Sequence, residues 1–136
     1  MDTSFGGLLV GPALATFAYY ALGALWFTPL FGRAWDSATG HRRTDGEAFG
    51  AAYYVVPLVA CGAVSVGVAL LHELIDVAGL GGALLLGLVV GAGIAVPVSV
   101  TNAMNPAMPR PYVYGAVTGG YHLVGAVVVS LLVTVA

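Results

Sequence analysis

Four long apolar runs separated by three polar connections make up this chain. The runs cover about residues 5–31, 49–72, 79–101 and 112–135, and no Asp, Glu, Lys or Arg interrupts their interiors. A helix rising 1.5 Å per residue crosses the hydrocarbon of a bilayer in about 20 apolar residues, and each run meets that length. Barrel strands would alternate apolar and polar positions over much shorter segments. The pattern therefore predicts an all-α polytopic membrane protein, with four transmembrane helices in a compact bundle forming a single unit over residues 1–136. Glycine and β-branched residues weaken helices in water, but in lipid every backbone group has to be satisfied within its own segment.

The connections carry the polarity. Residues 32–48 hold Arg33, Asp36, His41, Arg42, Arg43, Asp45 and Glu47, whereas 102–111 hold Asn102, Asn105, Pro106, Pro109, Arg110 and Pro111. Helix is not expected through that proline cluster. Pro97, inside the third run, removes a hydrogen bond and predicts a kink. It frees a carbonyl near Gly93, for which Ser99 is a candidate partner. A packing kink and a cavity-lining hinge both fit.

All four basic residues, Arg33, Arg42, Arg43 and Arg110, fall in the first and third connections. Short cytoplasmic loops retain arginine, so these residues are topology anchors. Connections 32–48 and 102–111 are expected in the cytoplasm and both termini outside, in a multi-pass protein of the cell membrane. Aromatic residues prefer the headgroup level, and Trp26, Trp35, Tyr53, Tyr54, Tyr112 and Tyr114 flank the arginine-bearing connections. Only Phe5 stands near the opposite interface, and Asp2 is the sole charge of the N-terminal tail.

Composition sharpens this picture. The 136 residues are 60% hydrophobic and only 7% charged. Soluble domains carry roughly 25% charged residues, so so few charges cannot coat a globule. Membrane lipids are thus the first partner. A net charge of −2 with few basic residues argues against nucleic acid. Cys61 is the single cysteine, which excludes an internal disulfide and any CxxC motif. The first run has no basic leader and is too long for a signal-peptide core, so it reads as a retained helix.

Small residues recur at helix-packing intervals, as Gly7 and Gly11, as Gly87 and Gly91 with Gly93 nearby, and as Gly115, Gly119, His122 and Ala126. Helices in lipid associate through such close-packing faces and through polar contacts. They suit tight pairs within the bundle or between subunits, and a homo-oligomer is the expectation.

One ionisable side chain lies deep in a run. His122 is roughly 16 Å from Pro111 at 1.5 Å per residue, near the midplane. Tyr19, Tyr20, Cys61 and Tyr121 share its depth, and a tyrosine hydroxyl would bond the imidazole if the first and last helices adjoin. Structural glue and a ligand or proton role both fit such a group, the former better. His72 and His41 do not match its depth, so bis-His haem ligation is poor. No carboxylate lies near it, which leaves no metal site and disfavours a multidrug-type antiporter. No cofactor is expected. His72-Glu73 with Asp76 reads as a solvated helix end, and Asn102 and Asn105 as caps or as a shallow vestibule beside Arg110. Arg33, Arg42 and Arg43 would also attract anionic lipid.

Two stretches carry a family resemblance. Gly23-Ala24-Leu25-Trp26-Phe27-Thr28-Pro29-Leu30-Phe31-Gly32-Arg33-Ala34-Trp35 resembles the first-helix signature of DUF1761, a small bacterial and archaeal membrane family of unknown function. Gly120-Tyr121-His122-Leu123-Val124 resembles its last-helix signature, and Thr101-Asn102 its third-helix end. Phe27 stands where the family usually has Tyr, and the proline-rich third connection also departs from its pattern. The resemblance implies a prokaryotic four-helix membrane protein and directs attention to Trp26, Pro29, Gly32, Trp35, Tyr121 and His122. Three functions remain open. The leading one is a non-enzymatic, self-associating bundle. The second is a small-solute transporter or channel with a midplane His122/Tyr20 site and a path along Pro97 and Asn102. The third is a cofactor- or lipid-binding protein with an unknown small-molecule ligand.

Overall fold

A computed structural model describes residues 7–136. The N-terminal tail, including Asp2 and the interfacial position expected for Phe5, lies outside the described residues. Helix α1 (Gly7–Leu25) runs into a π-helical turn at Trp26–Leu30, and a short helix α2 (Gly32–Thr39) follows. The second span is α3 (Ala51–Leu74). The third comprises α4 (Gly79–Val90), a π-helical turn (Gly91–Ala95) and α5 (Val96–Ala103), and the fourth is α6 (Pro111–Val135). Four segments, Leu9–Leu30, Ala51–Leu74, Gly79–Ala103 and Pro111–Val135, are long and apolar enough to cross a membrane. Their outward side chains are apolar, including Phe17, Val59, Leu85 and Ile94. In an aqueous protein these would be unburied core; here they face lipid.

Both wide turns have the same cause. A proline ring collides with the carbonyl four residues earlier and offers no donor to it. At Pro29 the chain inserts an extra residue, and the Phe31 N–H reaches back five residues to the Trp26 carbonyl at 2.8 Å. Ahead of Pro97, the Val96 N–H likewise bonds the Gly91 carbonyl. The break expected at Pro97 is therefore real, but it takes the form of a π turn. Ser99 does not serve Gly93; its hydroxyl donates to the Ala95 carbonyl at 2.8 Å.

Helix α6 is the hub, packing against α1, α3, α4 and α5. One ridge of α6, at every fourth residue, meets the third span along its whole length. Cβ atoms added at Gly115 and Gly119 would touch Val100 and Val96 at 3.5 and 3.6 Å. Further along, Leu123 and Val127 press on Gly91 and Gly87, where a Cβ would come within 2.8 and 2.7 Å. The face expected from Gly115, Gly119, His122 and Ala126 is thus divided. The glycines continue with Leu123 and Val127 toward the third span, while His122 turns toward α1. Gly11 packs on Val133. Gly11, Gly87, Gly91, Gly115 and Gly119 are thus used within the chain, whereas a Cβ at Gly93 would meet nothing within 4 Å.

The two arginine-bearing connections meet at one end of the bundle. The Arg110 N–H donates to the Ala38 carbonyl at 3.2 Å, and Gly40 lies against Pro109.

Candidate functional site

A polar cluster sits where α1, α3 and α6 converge. The Tyr19 hydroxyl lies 2.5 Å from His122 Nδ1. The Tyr121 hydroxyl donates to the Tyr19 carbonyl at 3.2 Å and lies 3.6 Å from Cys61 Sγ. The Tyr19 and Tyr121 rings stack with centroids 4.9 Å apart. Glycines make this possible. A Cβ at Gly125 would fall inside the Tyr19 ring, and one at Gly23 would sit 3.0 Å from the Tyr121 hydroxyl. Tyr19 reaches His122 only because the next turn of α6 has no side chain in its way.

Above this cluster, toward the arginine-bearing end, the helices part around a cavity of about 530 Å³. Helices α1 and α3 close on each other at Thr16 and Gly62 and separate beyond, where Ala52, Val56 and Pro57 line the void. Phe27, Trp35, Tyr54 and Tyr114 form aromatic walls, with Tyr121 and His122 among the deepest residues. From Tyr114 to His122 the α6 wall is about 12 Å long at 1.5 Å per residue. Among the described residues, no Asp, Glu, Lys or Arg lines the cavity. Among the described residues, His122 Nε2 has no hydrogen-bond partner, and neither do the hydroxyls of Tyr53, Tyr54 and Tyr114.

Tyr19, Tyr121 and His122 come together as depth predicted, but Tyr20 is not the partner of His122. Its hydroxyl donates to the Tyr54 carbonyl at 3.1 Å, on the other side of the cavity that both residues line. Adjacent residues on a helix point about 100° apart, so equal depth does not mean equal direction. Pro97, Asn102 and Asn105 do not join this site. Pro97 and Asn102 are exposed, and Asn105 closes the end of α5 by donating to the Asn102 carbonyl at 2.8 Å. The path expected along Pro97 and Asn102 is therefore not assembled with His122.

The motif residues of the first helix knit its end to the loop. Trp26 Nε1 donates to the Val117 carbonyl at 2.9 Å. Pro29 occupies the π turn and faces outward. Arg43 spans two acceptors, the Phe27 carbonyl and Asp36 Oδ1, each at 2.7 Å. Gly32 leaves room for this, because a Cβ there would lie 2.7 Å from the Arg43 guanidinium. Trp35 lies beneath Arg43, whose guanidinium carbon is 5.6 Å from the ring centroid, and the same indole lines the cavity. Arg33, Arg42 and Arg110 are exposed. Arg43 thus clasps the end of the first span to α2.

His72 overturns the reading of a solvated helix end. It is buried, 2.9 Å from the Ser130 hydroxyl, which donates to the Ala83 carbonyl at 2.7 Å. Only Glu73 and Asp76 face out. The local sequence, two polar residues beside a helix end, gave no sign of Ser130, 58 residues away. Ser130→Ala leaves the buried imidazole without its best partner. It is expected to cost about 1 kcal/mol, read as a lower unfolding temperature when exposure of the Cys61 thiol is followed in detergent.

Gly125, Thr118 and Ser130 lie outside the expected site residues: Thr118 lines the cavity, Gly125 makes room for Tyr19 and Ser130 partners His72. Gly125, one helical turn beyond His122, carried a usable signal. Tyr53, Tyr54 and Tyr114, interfacial aromatics by their place in the sequence, all help to line the cavity.

Four packed apolar helices with a polar cluster inside define a multi-pass helical membrane protein. The profile of the family described as "Protein of unknown function (DUF1761)" matches residues 10–134, so the chain belongs to that family. No curated protein and no solved structure matches it.

Proposed function

We propose that this protein binds a small, uncharged, amphipathic molecule in the aromatic cavity and does so without chemical conversion. The observation that carries this reading is the cavity itself. It is about 530 Å³, aromatic-walled and free of charged lining, with an unpartnered imidazole nitrogen on a deep residue. Ligand sites are typically concave, mostly apolar and furnished with few polar groups, in this range of volume. A merely structural His122 would need only Tyr19.

The arginine-bearing end is taken to face the cytoplasm of a cell-membrane protein, with both termini outside. Joining of the two arginine-bearing connections at one end supports that orientation. A ligand would then enter from the cytoplasmic leaflet or its headgroup region. Tight packing of Tyr19, Tyr121 and Val129 beyond the cavity favours binding over a continuous path for a solute. Ala24 lines the cavity without contributing a polar group. Ala24→Phe is expected to fill it while preserving the fold, abolishing any low-mass adduct seen by native mass spectrometry of wild type in mild detergent. Persistence of the adduct, or saturable binding equal to wild type, defeats the reading.

Self-association is a second reading. A partner subunit would replace lipid on the apolar face of α3 at Val55, Val59, Val66 and Leu70, because Gly87, Gly91, Gly115 and Gly119 already pack within the chain.

A further inference from the structure

We propose that the cavity selects a flat, uncharged ring carrying a carbonyl oxygen, the chemistry of a quinone headgroup, and that His122 Nε2–H is the group that selects it. The inference rests on the binding role proposed above and adds the polarity of the site.

The argument starts at Tyr19, which is 3% exposed and whose hydroxyl has one neighbour able to bond it, His122 Nδ1. If Nδ1–H donated to the phenol oxygen, the phenol proton would be left buried without an acceptor. If the phenol donates to Nδ1, no donor is orphaned. A buried unsatisfied donor costs about 1–3 kcal/mol, so the second arrangement prevails. A neutral imidazole with Nδ1 accepting carries its proton on Nε2. The nitrogen left over for a ligand is then a donor, and what it binds has to be an acceptor.

The rest of the cavity narrows the acceptor. With no cation in the lining, an anion would enter unpaired, at high cost in lipid. Aromatic walls from Phe27, Trp35 and Tyr114 favour a flat ring that offers its face or edge to them. A carbonyl on such a ring places its oxygen toward the donor while the ring stays among the apolar walls. The unpartnered hydroxyls of Tyr53 and Tyr114 offer further donors for an acceptor at the opposite edge. Gly125 and Tyr19 are positioning residues in this scheme, since they hold the imidazole and set its proton without touching the ligand.

The test uses the full chain in lipid nanodiscs, with empty nanodiscs as the control for partition. Menadione and methylnaphthalene share a two-ring shape and differ in the carbonyls. Equilibrium dialysis is expected to show saturable menadione binding and an affinity for methylnaphthalene lower by about tenfold, the value of one hydrogen bond. His122→Phe is expected to erase that preference. Should His122→Phe fail to fold, nitrogen NMR of histidine-labelled wild type reads the tautomer directly, and Tyr19→Phe is expected to disturb it. Equal affinity for the two probes, or an unprotonated Nε2 at His122, overturns the inference and leaves the cavity reading intact. Saturable binding of neither probe, together with no adduct in wild type, defeats the cavity reading as well.

Discussion

Gly125→Ala is expected to unfold or substantially loosen this protein, although it adds a single methyl group. The new Cβ would occupy the space of the Tyr19 ring. That ring has nowhere to go, because it stacks on Tyr121 at 4.9 Å and is held by its hydroxyl at His122. Overpacking of a tight core typically costs 1–3 kcal/mol, and about 3 kcal/mol is expected here because the hydrogen bond to His122 is strained too. Cys61 reports the result conveniently, being the only cysteine and buried against Tyr121. Its thiol is expected to react with a maleimide dye at a temperature well below that of wild type. Gly93→Ala provides the control, since a Cβ there meets nothing within 4 Å. Equal reaction profiles for the two variants would show that Tyr19 does not depend on the bare turn of α6.

The contrast between Gly125 and Gly93 explains what can be read from sequence in a membrane protein. Spans were legible because lipid imposes a one-dimensional rule, continuous apolarity over a fixed length, which the chain obeys in all four helices. The arginine-bearing end was legible for a similar reason. Which glycine matters is a three-dimensional question, decided by what the neighbouring helix places opposite it. By spacing alone Gly87 and Gly91 suit a partner subunit equally well, but Val127 and Leu123 of the same chain fill them. Tyr19 and Tyr20 are separated by one residue of rise and by opposite fates, one at His122 and one at the Tyr54 carbonyl. Position along the helix is nearly the same for both, and rotation about the helix axis cannot be obtained from it.

The aromatic belt shows how one residue can satisfy two constraints. Trp35, Tyr53, Tyr54 and Tyr114 have the amphipathic character that the headgroup region favours. Their position also makes them walls of the cavity. An interfacial site therefore leaves no separate mark in the composition. What distinguishes it is the small residues behind the rings, Gly23 and Ala24 on α1 and Ala52 on α3, which leave volume where larger side chains would close it.

Arg43→Ala is the other substitution with a large expected effect, because a single guanidinium completes three separate features of the loop. It bonds the Phe27 carbonyl, at the proline-widened turn, and holds Asp36 on α2 at the same time. It also covers Trp35, a cavity wall. Its removal leaves a part-buried carboxylate and a carbonyl unpaired at the edge of the bilayer, where water replaces them only in part. Hydrogen bonds involving a charged group are worth about 1.5–3 kcal/mol each, so a loss of about 3 kcal/mol in the docking of α2 is expected. Lysine does not restore it, since an ammonium cannot reproduce the planar fork that reaches both acceptors. Because α2 carries Arg33, trypsin reads its docking directly. Cleavage after Arg33 is expected to accelerate strongly in both Arg43→Ala and Arg43→Lys relative to wild type. Arg42→Ala serves as the comparison, for it removes an equal charge from an exposed neighbour. If Arg42→Ala loosened α2 as much as Arg43→Ala, net charge would be what holds the loop, and the paired contacts of Arg43 would not be its clasp.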